Sequence, residues 1–136
     1  MTYSKVLSGL YYLLISSDGD INDQEKNMGK LMIKKEGINP IEFNDEIKRL
    51  ENFGKDTSLQ LEIIISQLKK LSVTQQIRCI AWLCQIANAD GFMDKKEWFF
   101  IYRLYCKELN LELSKIMDVQ RKLHDSIKDN LLVPTV

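Results

Sequence analysis

A chain of 136 residues, 45% hydrophobic and 28% charged, fits one domain (residues 1–136) around a single core. Nineteen Lys and Arg cancel nineteen Asp and Glu, so no global field draws the protein to nucleic acid or to an anionic membrane. Met1 to Lys5 lacks the features of a secretory leader, and the longest apolar run, Leu10 to Ile15, is far short of the ~20 residues that cross a bilayer. A cytoplasmic protein with no membrane or nucleic-acid partner is expected.

Apolar residues recur at spacings of three and four, which predicts an all-α fold of about seven helices. The first runs from Tyr3 to Ser17 and stops at Gly19. The second starts with Asn22 as N-cap and Glu25 three residues on, the reciprocal capping-box arrangement, and ends near Gly37. The third opens at Asn39-Pro40-Ile41-Glu42, presents Phe43, Ile47 and Leu50 on one face, and ends at Gly54. The fourth covers Ser58 to Leu71. Its first residues, Leu59 to Ile63, alternate like a strand, but Leu61, Ile64, Ile65, Leu68 and Leu71 continue at helical spacing. The fifth begins at Ser72 with Gln75 three positions on, and continues to Ala89. The sixth is capped by Asp94 with Glu97. The seventh spans Leu113 to Asp129 through Ile116, Leu123 and Ile127, and Leu131 to Val136 form a loose tail.

One motif occurs twice: Asp18-Gly19-Asp20-Ile21-Asn22-Asp23-Gln24-Glu25, then Asp90-Gly91-Phe92-Met93-Asp94-Lys95-Lys96-Glu97. Each copy joins an apolar helix to the next, so the chain reads as two pseudo-symmetric halves, helix, acidic turn, helix, with the third and fourth helices between. Asn110-Leu111 echoes Gly37-Ile38 at the end of the second half, offset by one further residue.

Most of the motif is helix punctuation. Gly19 and Gly91 end a helix, Ile21 and Met93 pack before the cap, and the Asn22/Glu25 and Asp94/Glu97 pairs cap the next helix. Asp18 and Asp90 break a rule, because a carboxylate at a helix C-terminus is disfavoured by ~0.3–1 kcal/mol. The same breach in both halves invites a compensating positive charge, from lysine, arginine or a bound cation. Asp20 adds a third carboxylate to the first junction, and such oxygen-rich clusters suit Ca²⁺, Mg²⁺ or Mn²⁺ better than Zn²⁺. An EF-hand is excluded by register: with Asp18 or Asp90 at loop position 5, position 1 falls on Leu14 or Ile86, where a carboxylate is required.

The repeated signature, (small)-Asp-Gly-x-(Ile/Met)-x-x-x-Glu, resembles that of the tellurite-resistance TerB family over almost the whole chain. The resemblance implies a seven-helix fold with two related halves, a divalent-metal site where the acidic junctions meet, and an association with tellurite and stress responses. Asp18 and Glu25 match the first motif, and Asp90 and Glu97 the second. Ser17 stands where Ala is commoner. Phe92, Lys95 and Lys96 leave the second copy less acidic, so the first junction should dominate any metal binding.

The segment Trp98 to Cys106 is apolar nearly all round and is expected to be a central helix between the halves, the alternative being a surface for a homodimer or another protein partner. Cys79, Cys84 and Cys106 match no metal or redox spacing and read as small buried hydrophobes. Lys34-Lys35 and Lys69-Lys70 suit the last turns of their helices, and His124 has no companion at ligand spacing. No phosphate loop, nucleophile elbow or organic-cofactor motif is present. The expectation is a non-enzymatic module holding a divalent cation through Asp18, Glu25, Asp90 and Glu97. The alternative is a protein-interaction scaffold whose acidic turns are only caps or a docking patch.

Overall fold

Local signals set most helix ends in the computed structural model of the chain, which describes residues 1–16, 22–53, 57–89, 91 and 93–132. The helices are α1 (Tyr3–Ile15), α2 (Asp23–Glu36), α3 (Pro40–Asn52), α4 (Ser58–Leu68), α5 (Val73–Ala87), α6 (Lys95–Tyr102) and α7 (Leu113–Leu132). No strand occurs among the described residues. The capping boxes expected at Asn22/Glu25, Ser72/Gln75 and Asp94/Glu97 are all formed. Asn39 Oδ1 accepts from the N–H groups of Ile41 and Glu42, with Pro40 in the first turn. Gly37 closes α2 in the left-handed conformation at φ 62°, and Gly91 takes φ 85° after α5. Gly19 and Gly54, the other expected stops, lie outside the described residues.

Four boundaries differ from expectation, among them the end of α5, at Ala87 rather than Ala89. α1 ends at Ile15 with Ser16 as its cap. α4 stops at Leu68 because a side chain from the next helix takes over its carbonyls: buried Gln76 donates from Nε2 to the backbone oxygens of Leu68, Lys69 and Leu71, at 3.2, 3.4 and 3.3 Å. Lys69 and Lys70 therefore follow the helix, and Lys69 pairs with Glu108 at 3.6 Å. α7 continues through Leu132, past the expected end at Asp129, and 133–136, the rest of the expected loose tail, lie outside the described residues.

The core is built on α1 and α5. α1 is buried from Val6 to Ile15 except Tyr12, and α5 from Cys79 to Ala87 without a break. α3, α4 and α5 pack against α1, while α2 and α7 pack against α5. Expectation and structure part at α6. Within Lys95–Tyr102 only Glu97 and Ile101 are buried, while Trp98, Phe99 and Tyr102 remain 40%, 66% and 37% exposed. The central place goes to α5, whose Ala81, Cys84 and Ala87 let neighbours approach closely on several sides, with Trp82 filling the interior at 0% exposure. On α6 the rings instead pack on each other, Trp98 to Tyr102 at 6.3 Å and Tyr102 edge-on to Tyr105 at 5.6 Å between centroids.

After Tyr102 the helix widens into a π-helical segment, Arg103–Glu108. This accounts for the offset between the halves. Gly37 stands twelve residues after Glu25, whereas Asn110 stands thirteen after Glu97, and a π turn accommodates one residue more than an α turn. Asn110 then takes the left-handed conformation at φ 52°, as Gly37 does. Ile38 N–H donates to Ile33 O at 3.0 Å and Leu111 N–H to Tyr105 O at 2.8 Å, one residue further back. Cys79 and Cys84 are buried as expected and Cys106 partly so. Burial pushes the Cys79 thiol far up and that of Cys84 to about 12, so neither is a nucleophile near neutrality.

Candidate metal centre

The two capping glutamates, far apart in sequence, come together in the fold. Glu25 N–H donates to Asn22 Oδ1 at 2.8 Å and Glu25 Oε1 accepts from Asn22 N–H at 3.4 Å. Glu97 and Asp94 repeat this with the same two distances. Each glutamate thus has one oxygen committed to its own helix start, which aims the rest of the carboxyl inward. Glu25 and Glu97 are only 5% and 6% exposed. Tyr11 reinforces the first junction, its Oη donating to Glu25 O at 3.4 Å. Burial, then the charge of Glu25, push that phenol up to about 12.

Ionising Glu97 in this setting is unfavourable. Glu97 Oε2 is fully buried and has no hydrogen-bond partner among the described residues. Desolvation first, and the negative charge of Glu25 second, push the Glu97 carboxyl up to about 8, with the Asp94 cap opposing them. The two carboxyls lie close enough for a side-chain hydrogen bond to add to the shift. Such a pair is relieved either by a shared proton or by a cation.

Two of the four expected ligands, Glu25 and Glu97, are therefore brought together. Asp18 and Asp90 lie outside the described residues. Among the described residues no group of three or more His, Cys, Asp or Glu side chains is arranged to hold a metal ion. Hard carboxylate oxygens in the pair fit Ca²⁺, Mg²⁺ or Mn²⁺, and the further ligands would have to come from the remaining junction residues.

Other polar groups were not foreseen. Glu36 accepts from Tyr3 Oη at 2.8 Å and from Arg78 Nε and an Arg78 terminal nitrogen at 2.9 and 2.7 Å, tying α1, α2 and α5 together. Glu46 pairs with Arg49, which also donates to Gln60. Gln85 on α5 meets His124 on α7, Nε2 to Nδ1 at 3.3 Å. The available signal was a glutamine in the otherwise apolar run from Cys79 to Ala87.

No described helix is long and apolar enough to cross a membrane. Comparison with curated proteins and with solved structures finds no match. The family model of the tellurite resistance protein TerB matches residues 5–120, from the start of α1 into α7 and across both acidic junctions, and the chain belongs to that family.

Proposed function

We propose that this TerB-family chain is a non-enzymatic divalent-cation module, and that the cation sits between Glu25 and Glu97 with Asp18 and Asp90 completing the oxygen shell. The observation that carries the reading is the buried Oε2 of Glu97, without a hydrogen-bond partner among the described residues, beside a second buried carboxyl. A Ca²⁺, Mg²⁺ or Mn²⁺ ion would neutralise the pair and join the start of α2 to the start of α6. The family's description supports a link to tellurite resistance, and a place in stress responses goes with it.

Thermal unfolding of chelator-stripped protein, with and without millimolar Ca²⁺, Mg²⁺ or Mn²⁺, tests this beside the Asp18→Asn/Asp90→Asn double variant. At a hundredfold excess over Kd the cation stabilises wild type by about 2.7 kcal/mol. The variant should lose most of that gain while keeping its cation-free melting point. No rise with any cation would favour the second reading, a scaffold whose acidic turns are helix caps. The exposed Trp98, Phe99 and Tyr102 on α6 favour a protein or homodimer partner for such a scaffold.

A further inference from the structure

α2 and α7 do not close over α5 along their whole length. Between them lies a cleft of about 610 Å³, lined by Met28 from α2, Gln85 from α5, and Gln120, His124, Ile127 and Lys128 from α7. That volume falls in the range of small-ligand sites. Gln85 is 95% buried in the helix that otherwise carries only apolar residues here, having 5% exposure. Its amide nitrogen meets His124 Nδ1, and among the described residues no donor reaches its carbonyl oxygen.

This contact fixes a pattern. If the Gln85 amide N–H donates to Nδ1, the neutral imidazole carries its proton on Nε2, leaving the Gln85 carbonyl as acceptor and the His124 Nε2–H as donor. If the amide is turned, Nδ1–H donates to the carbonyl, leaving the Gln85 amide as donor and Nε2 as acceptor. Either way, one donor and one acceptor remain on adjoining side chains. The complement is a ligand edge with its own donor beside its own acceptor. Met28 and Ile127 supply apolar walls for the body of such a molecule, and the Lys128 ammonium lines the same cleft for an anionic substituent.

We propose that this cleft binds a small organic molecule through an amide or lactam edge, read by Gln85 and His124. The site is separate from the carboxylate pair and needs no cation. The test is a titration of the ¹⁵N-labelled full chain with uridine monophosphate, nicotinamide and pyroglutamate, which present cyclic imide, primary amide and lactam edges, each with an N–H beside a C=O. At least one should give saturable shifts of the Gln85 side-chain amide and the His124 ring in the low-millimolar range or below. His124→Leu, at an exposed position, should weaken that binding about tenfold or more, and Met28→Trp, which fills the cleft, should abolish it. Retained melting temperatures show that both variants fold. The proposal fails if none of the three gives saturable shifts, or if the shifts persist unchanged in folded His124→Leu and Met28→Trp.

Discussion

Glu97 is a carboxyl that folding makes harder to ionise, with a native value of about 8 against an ordinary 4.5. Its contribution to stability is complete below about pH 4.5 and is lost as pH rises through about 8. Without a cation, the protein should therefore lose up to roughly 4 kcal/mol across that window. Urea unfolding in chelator at about pH 5 and pH 8 measures the loss. Glu97→Gln should flatten the profile and exceed wild type in stability at the higher pH, and an equal decline in both proteins would contradict the assignment. Glu36 runs the other way. Burial alone would raise it, but hydrogen bonds from Arg78 and Tyr3 outweigh burial and hold it below the usual carboxylate range. The sequence reading reached Glu25 and Glu97 through their capping role, which is a matter of three residues. It reached their meeting only through a resemblance, because contact between two helix starts so far apart in sequence depends on how α2 and α6 pack.

Helix ends were legible wherever the stop or start is local. Asn22, Asn39, Ser72 and Asp94 cap what they were expected to cap, since the acceptor and the orphan N–H are neighbours in sequence. The end of α4 was illegible because its carbonyls are taken by Gln76 of α5. The setting of α6 was misread for a related reason: aromatic content says that a helix has something to bury, not which helix wins the centre. Packing also overrides propensity at Gly29. A Cβ there would lie 2.5 Å from the Tyr11 ring, and Tyr11 is itself buried and bonded to Glu25 O. Gly29→Ala gains about 1 kcal/mol of helix propensity but incurs an overpacking cost of about 1–3 kcal/mol. A net destabilisation of up to about 2 kcal/mol is expected in urea, with Tyr11→Leu restoring much of it in the double variant. A stabilised Gly29→Ala would show that the α1–α2 contact is looser than described.

At the scale of the molecule, α1, α2 and α5 are joined by Glu36 and its donors Tyr3 and Arg78. Arg78→Met should leave the carboxylate buried with Tyr3 as its remaining hydrogen-bond donor, at a cost of roughly 2 kcal/mol. That is below the 3–5 kcal/mol of a fully buried pair, because the Arg78 side chain is 38% exposed. A fall of several degrees in Tm is the expected readout. Glu36→Gln/Arg78→Met should recover part of the loss, whereas equal melting of Arg78→Met and wild type would show the pair to be decorative. The π-helical stretch after Tyr102 bears on how this molecule can change. An extra residue in an ordinary helix turns everything beyond it by about 100°, which would swing a packed wall out to water. Widening the coil at Arg103–Glu108 absorbs the extra residue where it stands. Leu104 and Tyr105 remain inside while Trp98 and Phe99, a turn and a half earlier, remain outside. The two stretches are thereby uncoupled in phase, so the one-residue insertion is spent inside the coil and the interior seam keeps its register with the core.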